Sequence, residues 1–362
     1  MLAAVHTRYG PPDVVRLMDV PVPSMRDDEV LVKVYASTVN RTDCGFRGGT
    51  PFFARAFTGL SRPRVTILGN EFAGEVEAVG LGVTRFAVGD RVFGYDDTAC
   101  GAHAQYLTIG EAASLARIPA NLTFAQAAPA TEGAHYALTA IRKAKIRGGQ
   151  RVLVNGATGA IGSAAVQLLA TRGVPVTGVC DSAHRDLVLA LGAERVIERD
   201  AEDFTQDDQT YDVVFDAVGK SSFGQCRRLL TPRGVFLWTD LGPGGQNPVL
   251  SLVTPWLPGR SVLFGYPRHD QAMVNELKDL MEAGRFRPVI DRSYPLAEIV
   301  EAYRYVQTGQ KVGNVVITVE PDRPLRMISI LLINHLSMSW TKQRSAAEAD
   351  GSLRALVREP LD

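Results

Sequence analysis

Residues 151–172, RVLVNGATGAIGSAAVQLLATR, constrain the fold of this chain more than any other stretch. Val152-Leu153-Val154 is a short apolar run, and Gly156-Ala157-Thr158-Gly159-Ala160-Ile161-Gly162 is a glycine-spaced turn. Residues 163–172 continue in a helical pattern. Glycine spacing alone also marks packing turns in other α/β proteins. A buried strand that passes through such a turn directly into a helix is the order a dinucleotide site requires. One glycine allows the tight turn, one lets the backbone approach a pyrophosphate, and one lets the helix pack closely on the strand. The free N–H groups and positive dipole end of that helix then face phosphate charge.

The surroundings extend this pattern. After the turn come the apolar runs VPVTGVC, RVIE, YDVVFDAVG, GVFLWTDLG and SVLFGY (261–266), with helical stretches at 185–191 and 225–230. Nearly continuous apolar strands alternating with helices predict a parallel sheet covered on both faces. Upstream, residues 29–34, 75–79 and 91–94 read as strands between Gly, Pro and Asp turns. Residues 123–145 are Ala-rich and helical in pattern, broken around Pro129. Residues 274–283 and 297–307 read as helices, and 314–319 as a closing strand.

The 362 residues suffice for about two domains. Lys plus Arg and Asp plus Glu each total 39, so no basic excess points to nucleic acid or an anionic membrane. Cys44, Cys100, Cys180 and Cys226 lack the short spacing of a zinc ribbon or redox pair and read as reduced thiols. No run approaches the ~18 apolar residues of a membrane-spanning helix, and the first residues do not resemble a signal peptide. A cytoplasmic protein is expected.

The residues after the second strand of this sheet decide between NAD and NADP. An acid there accepts hydrogen bonds from the ribose 2′-hydroxyl and repels a 2′-phosphate, whereas Ser or a cation does the reverse. Asp181 favours NAD; Ser182, His184 and Arg185 favour NADP. Asp181 has a second reading, as a cap on the following helix. NADP is expected over NAD.

Five stretches, taken together and in order, carry a resemblance over nearly all of residues 1–320. They are Val39-Asn-Arg-Thr-Asp43 with Arg47-Gly48; Leu68-Gly-Asn-Glu-Phe-Ala-Gly-Glu-Val76 running on to Val79-Gly80 and Gly89-Asp-Arg-Val92; Gly101-Ala-His-Ala-Gln-Tyr106; the glycine turn with Gln167; and Lys311-Val-Gly-Asn-Val-Val316. The chain resembles the zinc-free, zeta-crystallin-like quinone oxidoreductase branch of the medium-chain dehydrogenase/reductase superfamily. The resemblance implies an α/β fold with a GroES-like, partly β-barrel catalytic domain (1–122, completed by 267–321) and a Rossmann doubly wound parallel-sheet domain (123–266). Residues 322–362 lie beyond it, either as a short helix around 328–335 docked on the body or as an extension without fixed structure. The resemblance also implies a homodimer in which strand 261–266 pairs across the subunit boundary, covering an apolar edge.

Zinc-dependent relatives carry a Cys and a His where this chain has Asn40 and Asn70. Neutral amides are poor zinc ligands, so no zinc is expected, and Asp43 and Glu71 read as structural hydrogen-bonding groups. Without a Lewis acid, the implied reaction is hydride transfer to an activated acceptor, a quinone or an α,β-unsaturated carbonyl compound. Asn40 is the candidate catalytic residue, donating a hydrogen bond to the reacting oxygen; its other reading is that it only fixes its loop. By resemblance, Ala217, Val218 and Gly219 approach the ribose and nicotinamide, Leu241, Phe264 and Gly265 follow later strands at the cofactor crevice, and Asn314 contacts the cofactor. Arg199 stands where the family often has a tyrosine near the adenine. His103, His135, Tyr106 and Tyr136 read as structural. The aromatic-bearing loop 48–64, with Phe52, Phe53 and Phe57, is either a substrate entrance or a surface loop pinned by its rings. An enoyl-thioester reductase and a non-catalytic NADPH-binding protein are the competing functions.

Overall fold

Strand propensity and hairpin turns build the first half of the chain. The computed structural model describes residues 1–320 apart from Pro51, Phe53, Ala54 and 266–269. Strands β1 (Leu2–Val5) and β2 (Arg16–Asp19) form an antiparallel pair. They precede β3 (Glu29–Val39), β4 (Glu71–Val79), β5 (Arg91–Tyr95), β6 (Tyr106–Gly110) and β7 (Ser114–Arg117). The trunk is β3, whose Val30, Val32 and Val34 are fully buried. Such β-branched residues suit a pleated, packed surface.

The second sheet begins at β8 (Val152–Asn155) and continues through β9 (Val176–Cys180), β10 (Arg195–Glu198), β11 (Tyr211–Asp216), β12 (Leu230–Trp238) and β13 (Ser261–Phe264). Its order is β10-β9-β8-β11-β12-β13, and every pairing is parallel. The order reverses between β8 and β11, the switch point at which open α/β sheets hold ligands beyond their strand ends. All four residues of β8 and all five of β9 are buried, as expected for strands covered on both faces.

The chain then returns to the first sheet. Strands β14 (Ile290–Pro295) and β15 (Asn314–Thr318) complete it in the order β14-β15-β3-β4-β5-β7, with β6 also on β3. Strand β15 pairs with residues 36–39 of β3, so the end of the described chain fixes the strand that leads directly into Asn40.

Several boundaries differ from expectation. The helix after the glycine turn is Ala160–Ala170 and starts inside the turn, because Gly159 is extended and acts as its N-cap. The stretch expected as helix 225–230 is a helix Phe223–Cys226 and a tight 3-10 turn Arg227–Leu229, while Leu230 already belongs to β12. The break at Pro129 separates Phe124–Ala127 from Glu132–Lys143. Strand β13 ends at Phe264. Tyr266, Phe53, the side chain of Phe57 and the whole of 321–362 lie outside the described residues. Among the described residues, no helix is long and apolar enough to cross a membrane, and Cys44, Cys100, Cys180 and Cys226 are free and buried.

Candidate functional site

The glycine turn is a cradle that side chains would fill. Gly156 has φ +80°, and a Cβ on Gly162 would lie 2.1 Å from the Gly156 carbonyl oxygen. No side chain caps the helix Ala160–Ala170, so its first-turn N–H groups are left for an anion. Thr158, inside the turn, accepts a 2.7 Å hydrogen bond from the Gly313 N–H, and Gly159 bridges to Gly313. The completing segment is thereby tied to the turn. These features fit a dinucleotide pyrophosphate.

At the end of β9 the ionic pattern is denser than the sequence implied. Arg199 grips Asp181 with two nitrogens, lowering the carboxyl's pKa below its usual range. The Ser182 N–H and hydroxyl both donate to Asp200, and Arg185 pairs with Glu198 at 2.9 Å. Asp181 makes no capping hydrogen bond to the turn that follows. Ser182 and Arg185 therefore each already have an acid partner, whereas the buried His184 Nδ1 makes no hydrogen bond among the described residues.

Hydrogen bonds and packing fix the remaining expected residues, most of them at the strand ends beyond β8. Buried Asp216 accepts from Asn155 Nδ2, the Gly219 N–H and both donors of Ser221, which fixes Ala217, Val218 and Gly219. Val218 lies against Gly156. The Leu241 carbonyl accepts from the Asn247 N–H. Phe264 stacks on Trp238 at 4.3 Å, and Gly265 backs onto Ala140. Asn314 turns inward: its Nδ2 and backbone N–H both donate to the Val289 carbonyl.

Asn40 caps the helix Arg41–Gly48 in a reciprocal capping box with Asp43. Its Nδ2 donates to Asn70 Oδ1 at 2.7 Å, and Asn70 Nδ2 donates to Glu132 Oε2 at 3.1 Å. Thr42 Oγ1 donates to Glu132 Oε1 at 2.6 Å. Glu71, fully buried, accepts from Thr38 Oγ1, Thr131 Oγ1 and the backbone N–H groups of Thr131 and Glu132. It therefore caps the helix Glu132–Lys143, whose N-cap Thr131 supplies no side-chain cap. Burial pushes Glu132 up to about 8, reinforced by the charge of Glu71, and pushes Asp43 up to about 7. Burial also pulls His103 down to about 4. The neutral ring donates from Nε2 to the Thr38 carbonyl at 2.7 Å, and its Nδ1 faces the Tyr303 hydroxyl. His103 is thus structural, as expected. His135 packs between Tyr95 and Tyr136.

The donor chemistry here does not suit zinc, because Asn40 and Asn70 are neutral amides engaged with one another. Among the described residues, no group of three or more His, Cys, Asp or Glu side chains is placed to hold a metal ion. Sequence reasoning singled out Asn40, Asn70, Glu71 and Asp43 but missed Glu132. Its signal was a lone acid after Ala-Pro-Ala-Thr in an otherwise apolar, Ala-rich segment.

An open parallel sheet in 3-2-1-4-5-6 order, bearing a glycine cradle tied to the segment that completes the first sheet, fits a nicotinamide-type oxidoreductase. Residues 26–128 match the family model described as alcohol dehydrogenase GroES-like domain, and residues 191–317 match that described as zinc-binding dehydrogenase. The chain is 31% identical to the 2-methylene-furan-3-one reductase of Solanum lycopersicum, over 88% of this chain and 79% of that protein. It is 29% identical to the NADPH-dependent alkenal/one oxidoreductase, chloroplastic, of Arabidopsis thaliana, with the same coverage. The quinone oxidoreductase structure from Coxiella burnetii superposes with a TM-score of 0.80 at 27% identity, covering 88% of this chain and 99% of that one. The chain belongs to the medium-chain dehydrogenase/reductase superfamily, with the quinone oxidoreductases.

Proposed function

We propose that this protein is a zinc-independent reductase that transfers hydride from NADPH to quinones or α,β-unsaturated carbonyl compounds. The observation that carries this reading is the neutral amide pair Asn40–Asn70 set beside a glycine cradle for the cofactor. Activated acceptors need positioning and modest hydrogen bonding rather than a metal. Bound NADPH supplies the hydride, and the chain's residues bind and orient it. The turn 156–162 holds the pyrophosphate, Ala217, Val218 and Gly219 flank the ribose and nicotinamide side, and Asn40 donates toward the acceptor oxygen. Asn314 acts by tying β15 to Val289 within the completing segment, next to Gly313, whose N–H holds the turn.

For the 2′-phosphate we propose Arg199 and Arg185 as the cations and Ser182 as a hydroxyl partner, with phosphate displacing Asp181, Glu198 and Asp200. The name of the Arabidopsis relative supports NADPH. Asp181 and Asp200 at the same place favour NADH as the second reading. Oxidation of NADPH in the presence of a panel of quinones and enones, with NADH in parallel, tests both. No oxidation with any acceptor removes the function, and a strong NADH preference reverses the cofactor.

A homodimer is proposed on two features. Strand β13 is an edge of its sheet, and the neighbouring segment 246–257 exposes Leu252, Trp256 and Leu257, with Trp256 87% exposed. Exposed apolar groups beside an unpaired edge are a surface that association covers. Sedimentation as a monomer at micromolar concentration would contradict this. The barrel-like lobe is assigned to 1–122 and 267–321 and the dinucleotide lobe to 123–266, in keeping with the membership of the two sheets.

A further inference from the structure

Glu132 is a buried acid for which the hydride step by itself has no use. It opens the helix Glu132–Lys143, and the next residue, Gly133, packs so closely on the glycine-turn helix that a Cβ there would lie 2.5 Å from the Ala160 carbonyl oxygen. On its other side its carboxyl meets Asn70, and through Asn70 reaches Asn40. The acid therefore stands between the cofactor cradle and the amide pair.

Two carboxyl groups in this position divide their charge by their surroundings. Glu71 has two hydroxyl and two backbone N–H donors, the N-terminal end of a helix and the attraction of Lys311. Burial raises the Glu71 carboxyl as well, but these donors oppose that shift, so Glu71 holds the charge in preference to Glu132, and that charge, with burial, favours the proton on Glu132. The other titratable groups facing Glu132 are Asp43, Tyr95 and Cys100. None is a cation that would draw the proton off. Thr42 is only partly buried. Its hydroxyl can reverse, accepting from a protonated Glu132 while donating outward, which an amide NH2 group cannot do.

We propose that Glu132 is the proton reserve of the reduction, releasing its proton to the acceptor through the Thr42 hydroxyl. This rests on the functional reading given above. With an enone, hydride from the reduced nicotinamide forms a C–H bond at the β-carbon, and the displaced π pair moves to the carbonyl oxygen. The acceptor is reduced and the nicotinamide oxidised by the same two electrons. The oxygen takes the Thr42 proton as Thr42 takes that of Glu132. The enol formed becomes the saturated ketone, and the Glu132 carboxylate regains a proton from water through Thr42. Because the acid form is required, turnover holds below about pH 8 and declines as pH rises through that value.

The test compares wild type with Glu132→Gln. For an enone the variant is expected to lose at least about a hundredfold in kcat, the low end of general acid catalysis, and to lose the alkaline decline near pH 8. Its NADPH affinity, read by fluorescence titration, is expected to stay within about threefold. In the cofactor-free protein near pH 6, the infrared spectrum is expected to lose one carboxylic-acid C=O band in the variant. Retained kcat and pH profile, or no band difference, overturns the role while leaving the reductase reading intact. Wild type inert toward every quinone and enone overturns the functional reading and this role with it. If Glu132→Gln does not fold, Thr42→Val decides. A similar loss of kcat with retained NADPH affinity supports the relay, and unchanged kcat overturns it.

Discussion

Asn40 donates its side-chain amide to Asn70 across 2.7 Å, joining two segments 30 residues apart in sequence. The same Asn40 side chain accepts from the Asp43 N–H at 3.0 Å. One residue thus caps a helix and aligns a polar wall.

Those two tasks can be separated. Asn40→Ala removes the cap, at about 1 kcal/mol, and leaves the buried Asn70 oxygen without its donor, at about 1–3 kcal/mol. A lower Tm is expected together with a roughly tenfold lower kcat. Asn40→Asp keeps the cap oxygen but loses the amide donor. Full kcat in Asn40→Asp, measured where that variant is stable, would show that Asn40 only fixes its loop.

Gly162→Ala tests the cradle. The added methyl meets the Gly156 carbonyl at 2.1 Å, a backbone atom that cannot swing away. Overpacking of this kind costs roughly 1–3 kcal/mol, and opening the turn moves its N–H groups off the phosphate. NADPH affinity is expected to fall at least about tenfold by fluorescence titration. Unaltered affinity would place the cofactor elsewhere.

Cofactor choice turns on the Arg199–Asp181 pair. Arg199→Ala removes a charge-assisted partner of a 2′-phosphate, worth about 1.5–3 kcal/mol, so Kd for NADPH should rise about tenfold or more while that for NADH changes little. Asp181→Ala frees Arg199 and should tighten NADPH while weakening NADH. Loss of NADH affinity alone in both variants would assign the site to NADH.

His103 makes a pH prediction with a definite sign. Its folded pKa lies near 4 against an ordinary 6.5, so the unfolded chain takes up the proton first as pH falls. The stability from the neutral ring is fully present above about 6.5 and is lost on acidification toward 4, on the order of 3 kcal/mol in all. Urea unfolding of wild type and His103→Asn should show a stability difference that shrinks over this window. A difference independent of pH would mean that His103 titrates normally.

The parallel sheet was legible because apolar runs alternate with helices after Arg151, and burial on both faces enforces that pattern. Boundaries were less so. Leu230 read as the end of a helix yet begins β12, since an apolar residue satisfies either element and tertiary pairing with Tyr211 decides. The Arg199–Asp181 and Arg185–Glu198 ion pairs and the Ser182–Asp200 hydrogen bonds were hidden because the partners meet only where two adjacent strands end. Glu132 was hidden for a similar reason. A single acid in a helix reads as exposed, and only contacts with Thr42 and Asn70, 90 and 62 residues away, bury it.

The most direct measurement is isotope transfer from NADPH deuterated at nicotinamide C4, prepared in each stereochemical form and incubated with the protein and an enone. One form should yield the saturated ketone with a single deuterium at the former β-carbon, detected by mass spectrometry and NMR, while the other yields none. Bound NADPH that delivers no deuterium to any enone or quinone would contradict the account.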